Sequence, residues 1–310
     1  MRSFGPRAGS AGAVVVVGEA LVDVIEVDEQ RTAVPGGSAA NVALGLARRA
    51  IQVRLSTYLG PDRNGDLVAE HLTRDGVILA SDSRAAPRTS TALAHREPSG
   101  NVHYTFDVDW RPRRIDVPPG AAGFHLGSFP GFSVTECALP ETVARLRRNV
   151  MTSFDPNIRP AIIADADAAR ARFRQIAATI DLLKLSDEDA GYLLPGLSPD
   201  DILDELLALG VRLAAVTMGG DGMLLATPAA RCRVAAPRVA IADTIGAGDT
   251  VMAALIADLV EGRFVFDEHR REGGDAAHDL RVIGERAVAA AAITVSRAGA
   301  DLPRASELDA

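Results

Sequence analysis

Short runs rich in Val, Leu and Ile alternate along this chain with longer segments whose apolar residues recur at helical spacing. That alternation is the pattern of βαβ units, and it constrains the chain to a mostly parallel sheet covered by helices on both faces, a three-layer α/β/α core. The runs predict strands at 13–17, 53–58, 124–127, 151–155, 181–185 and 213–217. The periodic segments predict helices at 38–49, 65–75, 139–149, 165–179, 199–209, 248–261 and 281–297. In the first helix Ala39, Val42, Ala43, Leu46 and Ala47 form one stripe. Ser198-Pro199-Asp200-Asp201 has the features of a helix start: a capping serine, proline in the first turn and acids at the positive end. With 310 residues, 47% of them apolar, the chain can bury a large core without disulfides.

One stretch breaks the alternation. Residues 88–96 and 101–108 are β-rich and are separated by Glu97-Pro98-Ser99-Gly100, which predicts an antiparallel hairpin. Residues 24–34 supply a further strand or two. A minor sheet from about 24–34 and 88–111 beside a large α/β body reads as a lid over a site, or else as an edge hairpin. The single domain spans 13–304, between a loose tail at 1–12 and a polar, mobile tail at 305–310. Residues 262–280 read as a surface loop.

Charge and cysteine content exclude several classes. The net charge is −8 and no window carries a dense basic stripe, which argues against a nucleic-acid partner. Cys137 and Cys232 cannot form a disulfide framework, and the six His are scattered singly. No run approaches the ~20 apolar residues of a membrane span. The charged, then apolar, start resembles a short signal peptide, but the apolar stretch stops within a few residues at Gly18-Glu19. The expected location is the cytoplasm. Lys184 is the only lysine, so any lysine chemistry must use it.

The most informative motif is Asp243-Thr244-Ile245-Gly246-Ala247-Gly248-Asp249-Thr250, which opens directly into an apolar helix. Its glycines let backbone N–H groups converge, and the positive helix end completes an anion site suited to a phosphoryl group in transfer. A carboxylate beside such a nest would repel a resting phosphate. As a base for an attacking hydroxyl, Asp249 has a reason to be there; an acid favoured by the helix dipole is the simpler alternative. Asp23, in VGEALVD, stands among apolar neighbours, where a carboxylate needs partners such as sugar hydroxyls or a salt bridge. In PGGSAAN, Gly36 and Gly37 precede a helix, and Asn41 lies off its apolar stripe. The Thr217-to-Gly222 stretch, TMGGDG, is a tight turn that fits a hairpin or a nucleotide contact.

The ordered set VGEALVD, PGGSAANVA, SFDPNIRP, KLSDED, TMGGDG, DTIGAGD and AAAAITVSRAGA resembles the PfkB/ribokinase family of carbohydrate kinases over about residues 14–303, and its fructokinase-like branch most of all. The resemblance implies ATP-dependent phosphorylation of a sugar hydroxymethyl group with Mg²⁺, and possible activation by K⁺. It implies Asp249 as base, with the N–H groups of Gly246, Ala247 and Gly248 as anion hole. Asp23, Gly36, Gly37, Asn41, Asn157 and Arg159 would bind sugar. Lys184, Ser186, Thr217, Gly219 and Gly222 would line the ATP site. Asp243 and the carbonyl of Ile245 would hold the monovalent cation, near 294–299. Where the family often has Asn-x-x-Glu by the magnesium, this chain has Ser186-Asp187-Glu188-Asp189, so Glu188 and Asp189 are the magnesium-shell candidates.

Fructose is the first substrate expected, ahead of 2-keto-3-deoxygluconate, ribose and a nucleoside. Arg159 would also suit the carboxylate of an acid sugar, and Tyr104, Phe106 or Trp110 in the lid would stack on a sugar face. A non-catalytic sugar sensor on the same fold has no need of Asp249. A dinucleotide-dependent dehydrogenase is disfavoured because no GxGxxG follows the first strand. The lid is also the expected surface for a homodimer.

Overall fold

The computed structural model describes residues 12–27, 30–96, 102–111, 115–128, 131–132, 139–266 and 275–308. The valine run forms strand β1 (Val14–Val17), and all four residues are buried. Its alternate side chains serve two cores. Val14 and Val16 join one apolar cluster, and Val15 and Val17 the other. A strand apolar on both faces belongs at the centre of a covered parallel sheet.

β1 lies between β4 (Val53–Ser56) and β8 (Gly123–Gly127), parallel to both. The parallel series continues from β4 to β5 (Ile78–Leu79). On the other side it runs from β8 through β9 (Met151–Asp155) and β10 (Leu182–Ser186) to β11 (Leu213–Thr217). Two antiparallel strands, β12 (Met223–Ala226) and β13 (Arg231–Val234), complete a nine-stranded sheet. They were not expected as strands. The TMGGDG stretch is the hairpin turn into β12, closed by Met218 N donating to Gly222 O at 2.8 Å, and it is too short for a crossover helix.

One face is covered by α1 (Ser38–Arg48), α2 (Arg63–Arg74), α7 (Ala247–Val260) and α8 (Ala276–Val295), and the other by α3 (Leu139–Leu146), α4 (Ala166–Ala177), α5 (Asp187–Leu193) and α6 (Pro199–Ala208). This is the three-layer architecture expected. α8 begins five residues before the expected start, because Asp275 caps it by accepting from the N–H groups of Ala277 and His278, ahead of any apolar periodicity. The C-terminal residues 305–308 are not a loose tail. They form a short helix, α9 (Ala305–Leu308), tied down by an Arg297–Glu307 ion pair.

The second sheet has the order β3-β2-β6-β7, from β2 (Leu21–Val27), β3 (Gln30–Gly36), β6 (Thr91–Arg96) and β7 (Val102–Asp107). The lid strand starts at Leu21, so Asp23 belongs to the lid and not to the end of β1. Trp110 is buried in the core beside α3–α6. The tail at 1–11, the turn at 97–101, Cys137 and the side chain of Tyr104 lie outside the description. No described helix is long and apolar enough to cross a membrane.

Candidate active site

The sheet order reverses at β1, whose neighbours β4 and β8 come from opposite directions of winding. Ligands of open α/β sheets sit at the carboxyl edge of such a switch point. Here that edge carries Gly18-Glu19 after β1, Asp155 at the end of β9 and Ser186 at the end of β10. The amino ends of α1 and α7 converge on it.

Helix α7 opens at Gly246, whose φ of 81° is left-handed, and a Cβ there would come within 2.9 Å of the Ala300 Cβ. Among the described residues no hydrogen bond occupies the N–H groups of Gly246, Gly248 and Asp249. That of Ala247 makes a long bond of 3.3 Å to Thr244 O. The turn therefore presents free donors at a positive helix end, as the motif predicts. Asp249 follows in the first turn, buried.

Asp249 is held from α1. Ser38 Oγ donates to its Oδ1 at 2.6 Å, and Asn41 Nδ2 donates to its Oδ2 at 2.8 Å. Burial pushes the carboxyl above the usual aspartate range, while the Ser38 and Asn41 bonds and the charges of Lys184 and Arg159 pull it back. Asn41 was expected to face the sugar. In the structure its Nδ2 is engaged by Asp249. Ser38 was not singled out from the sequence, and neither was Glu19, whose Oε1 accepts from Ser38 N at 2.9 Å. Burial pushes Glu19 up to about 8.

Beside Asp249 lies the expected sugar floor. Gly36 carries the Asp23 carboxylate directly over its α-carbon, where a Cβ would overlap Oδ2. Burial raises Asp23 to about 6, against the pull of Arg159 and with a push from Asp249. Those mutual effects bring Asp23, Arg159, Glu19 and Asp249 into one field. Arg159 itself is exposed, and its guanidinium donates to Asn157 O and Ile158 O. Asn157 adopts a φ of 38°, a region asparagine tolerates.

The residues expected at ATP separate into two groups. Thr217, half-buried, and Gly219, exposed, stand at the β11 turn, with Gly222 buried beneath it. Lys184 is buried, with its Nζ 2.8 Å from Asp155 Oδ2. Ser186 and Asp189 form a capping box at the start of α5, and Asp189 Oδ1 also accepts from Ile158 N at 2.6 Å. Both Asp189 oxygens are thus engaged by the protein, and Asp187 and Glu188 are the exposed carboxylates of that turn. Asp243 accepts from Ile245 N and Gly299 N, both at 3.0 Å, and so pins its loop to 294–299. Among the described residues no group of three or more His, Cys, Asp or Glu gathers as a metal cluster.

Fold and site together define a ribokinase-like α/β protein. The solved aminoimidazole riboside kinase of Salmonella enterica superposes with a TM-score of 0.79 at 25% identity, covering 96% of this chain and 99% of that one. The fructokinase of Klebsiella pneumoniae is 33% identical over 265 residues, 80% of this chain and 84% of the relative. That of Rhizobium leguminosarum bv. trifolii is 30% identical over 259 residues, 79% of each. The model of the pfkB family carbohydrate kinases matches residues 12–307, and the chain belongs to that family. Its activity is accordingly ATP-dependent phosphorylation of a sugar.

Proposed function

We propose that the protein transfers the γ-phosphoryl group of ATP to the primary hydroxyl of fructose. The observation that carries this reading is the juxtaposition of Asp249, held by Ser38 and Asn41, with the unengaged N–H groups of Gly246 and Gly248. Asp23 and the face of Gly36 lie alongside to receive sugar hydroxyls. The hydroxyl oxygen attacks the γ-phosphorus while its proton passes to Asp249. The bond from phosphorus to the bridging oxygen breaks, and ADP leaves. The N–H groups take up the charge that grows on the phosphoryl oxygens.

The oxygen donors fit the two implied ions. Mg²⁺ is bound through one or two carboxylates, substrate phosphates and water, and exposed Glu188 would supply a carboxylate. When bound, Mg²⁺ would offset phosphate charge. A monovalent cation would sit on Asp243 and the Ile245 carbonyl and steady the turn. Thr217, Gly219 and the exposed side of the β11 turn line the nucleotide.

Fructose is favoured by the fructokinases among the relatives. A riboside is the second reading, favoured by the fold shared with the Salmonella kinase. Coupled ADP release over a panel of fructose, ribose, 2-keto-3-deoxygluconate and nucleosides separates them. The highest kcat/KM is expected with fructose. Binding of sugar without ADP release from any of them would identify a sensor and overturn the kinase reading. The lid is kept as the pairing surface of a homodimer, tested by sedimentation of the purified chain.

A further inference from the structure

The buried Lys184–Asp155 pair lies outside the sugar floor and outside the exposed β11 turn. Lys184 is the sole lysine of the chain, and its side chain is 4% exposed; that of Asp155 is fully buried. The two sit side by side on neighbouring parallel strands, since Leu182 and Leu183 of β10 pair with Ser153 and Phe154 of β9. The ammonium also meets the anion-hole turn: a Cβ built on Gly248 would lie 2.9 Å from Nζ. A side chain at Gly248 would crowd the ammonium directly behind the turn. A buried ion pair recovers its desolvation cost only with good geometry, so its retention beneath a catalytic turn calls for a reason.

We propose that Lys184, placed by Asp155 against Gly248, is a positioning residue that puts a fixed positive charge behind the anion hole. It acts through the turn on the transferred phosphoryl group, and through space on Asp249. The titratable and charged groups around Asp249 are Lys184 on β10, Asp155 on β9, Arg159 after β9, Asp23 on β2 and Glu19 after β1, while Asp189 on α5 and His125 on β8 face the pair. Burial opposes charge on Lys184, but Asp155, Asp189 and Asp249 outweigh it and keep the amine above its ordinary range. Lys184 is thus an ammonium at neutral pH.

The inference rests on the phosphoryl-transfer reading above, and its sign is testable. Lys184→Met removes a positive charge and should move the acid limb of kcat/KM to higher pH by about one unit, with kcat about tenfold lower. Asp155→Asn removes a negative charge from the same pair and should move that limb to lower pH. Lost packing alone does not give opposite shifts. Should Lys184→Met fail to fold, the Lys184→Met/Asp155→Asn double variant is compared with Asp155→Asn, and its limb should lie at higher pH. The same shifts are read without turnover from the carboxyl carbon resonance of Asp249, assigned by its loss in Asp249→Asn. A chain inactive on every sugar would overturn the kinase reading while leaving this titration to decide the inference. Equal or same-direction shifts would overturn the inference, as would a raised KM for ATP with kcat unchanged.

Discussion

Helices α1 and α7 begin alike and end up with opposite duties. Each follows a glycine of positive φ, Gly37 at 104° and Gly246 at 81°, and neither has a side-chain cap. At α1 the free donors are filled from within. Glu19 accepts from Ser38 N with its side chain and from Ala40 N with its carbonyl. At α7 the N–H groups of Gly246 and Gly248 find no such partner among the described residues. A filled helix start positions side chains, here Ser38 and Asn41 on Asp249. An open one binds an anion. Glycine content alone does not distinguish the two. The neighbouring acid does, since Glu19 points into its helix end and Asp249 is drawn aside by hydrogen bonds.

The sharpest way to break this contrast is Asp249→Asn, which keeps the shape of the open start and removes its base. Turnover should fall by at least ~10²-fold in steady-state assays with little change in sugar KM. Near-normal kcat would remove Asp249 from its role. Gly246→Ala comes next. The left-handed backbone and the Ala300 contact should cost about 1–2 kcal/mol in denaturant unfolding, and kcat should drop about tenfold as the donors shift. An unchanged kcat would mean that the turn is not the anion hole.

Smaller effects test the filled start. Ser38→Ala removes one of the two bonds that favour ionised Asp249, so the acid limb of kcat/KM should move up by about one pH unit. A limb that stays in place would show that Asn41 suffices. Glu19→Gln should change chiefly the pH dependence of stability. The Glu19 carboxyl sits at about 8 in the folded chain against an ordinary 4.5, so between those values the unfolded chain has released a proton that the folded chain keeps. Stability therefore declines as pH rises through that window, and Glu19→Gln should flatten the decline in urea melts at pH 5 and pH 8. Asp23, raised to about 6, retains part of the slope.

Much of the architecture was legible because the strands at β1 and β11 are built on continuous apolar runs, 14–17 and 213–216, with no competing reading. β12 and β13 escaped because they are antiparallel strands joined by turns, outside the strand–helix alternation from which the other strands of the large sheet were read. The α5 helix escaped for a different reason: Ser186 and Asp189 are a capping box of the same form as Ser198 and Asp201, but their place in the KLSDED motif suggested a metal site. In the site, the glycine turn and Asp249 were visible locally. Ser38, Glu19 and Asp155 were not, because their roles come from partners distant in sequence, such as the 211 positions between Ser38 and Asp249.

The most direct measurement is a crystal structure with fructose, ADP, Mg²⁺ and aluminium fluoride as the phosphoryl mimic. Fluoride atoms are expected on the N–H groups of Gly246 and Gly248, with the primary hydroxyl of the sugar on Asp249. A mimic bound away from that turn, or a hydroxyl that points away from Asp249, would contradict the proposed function.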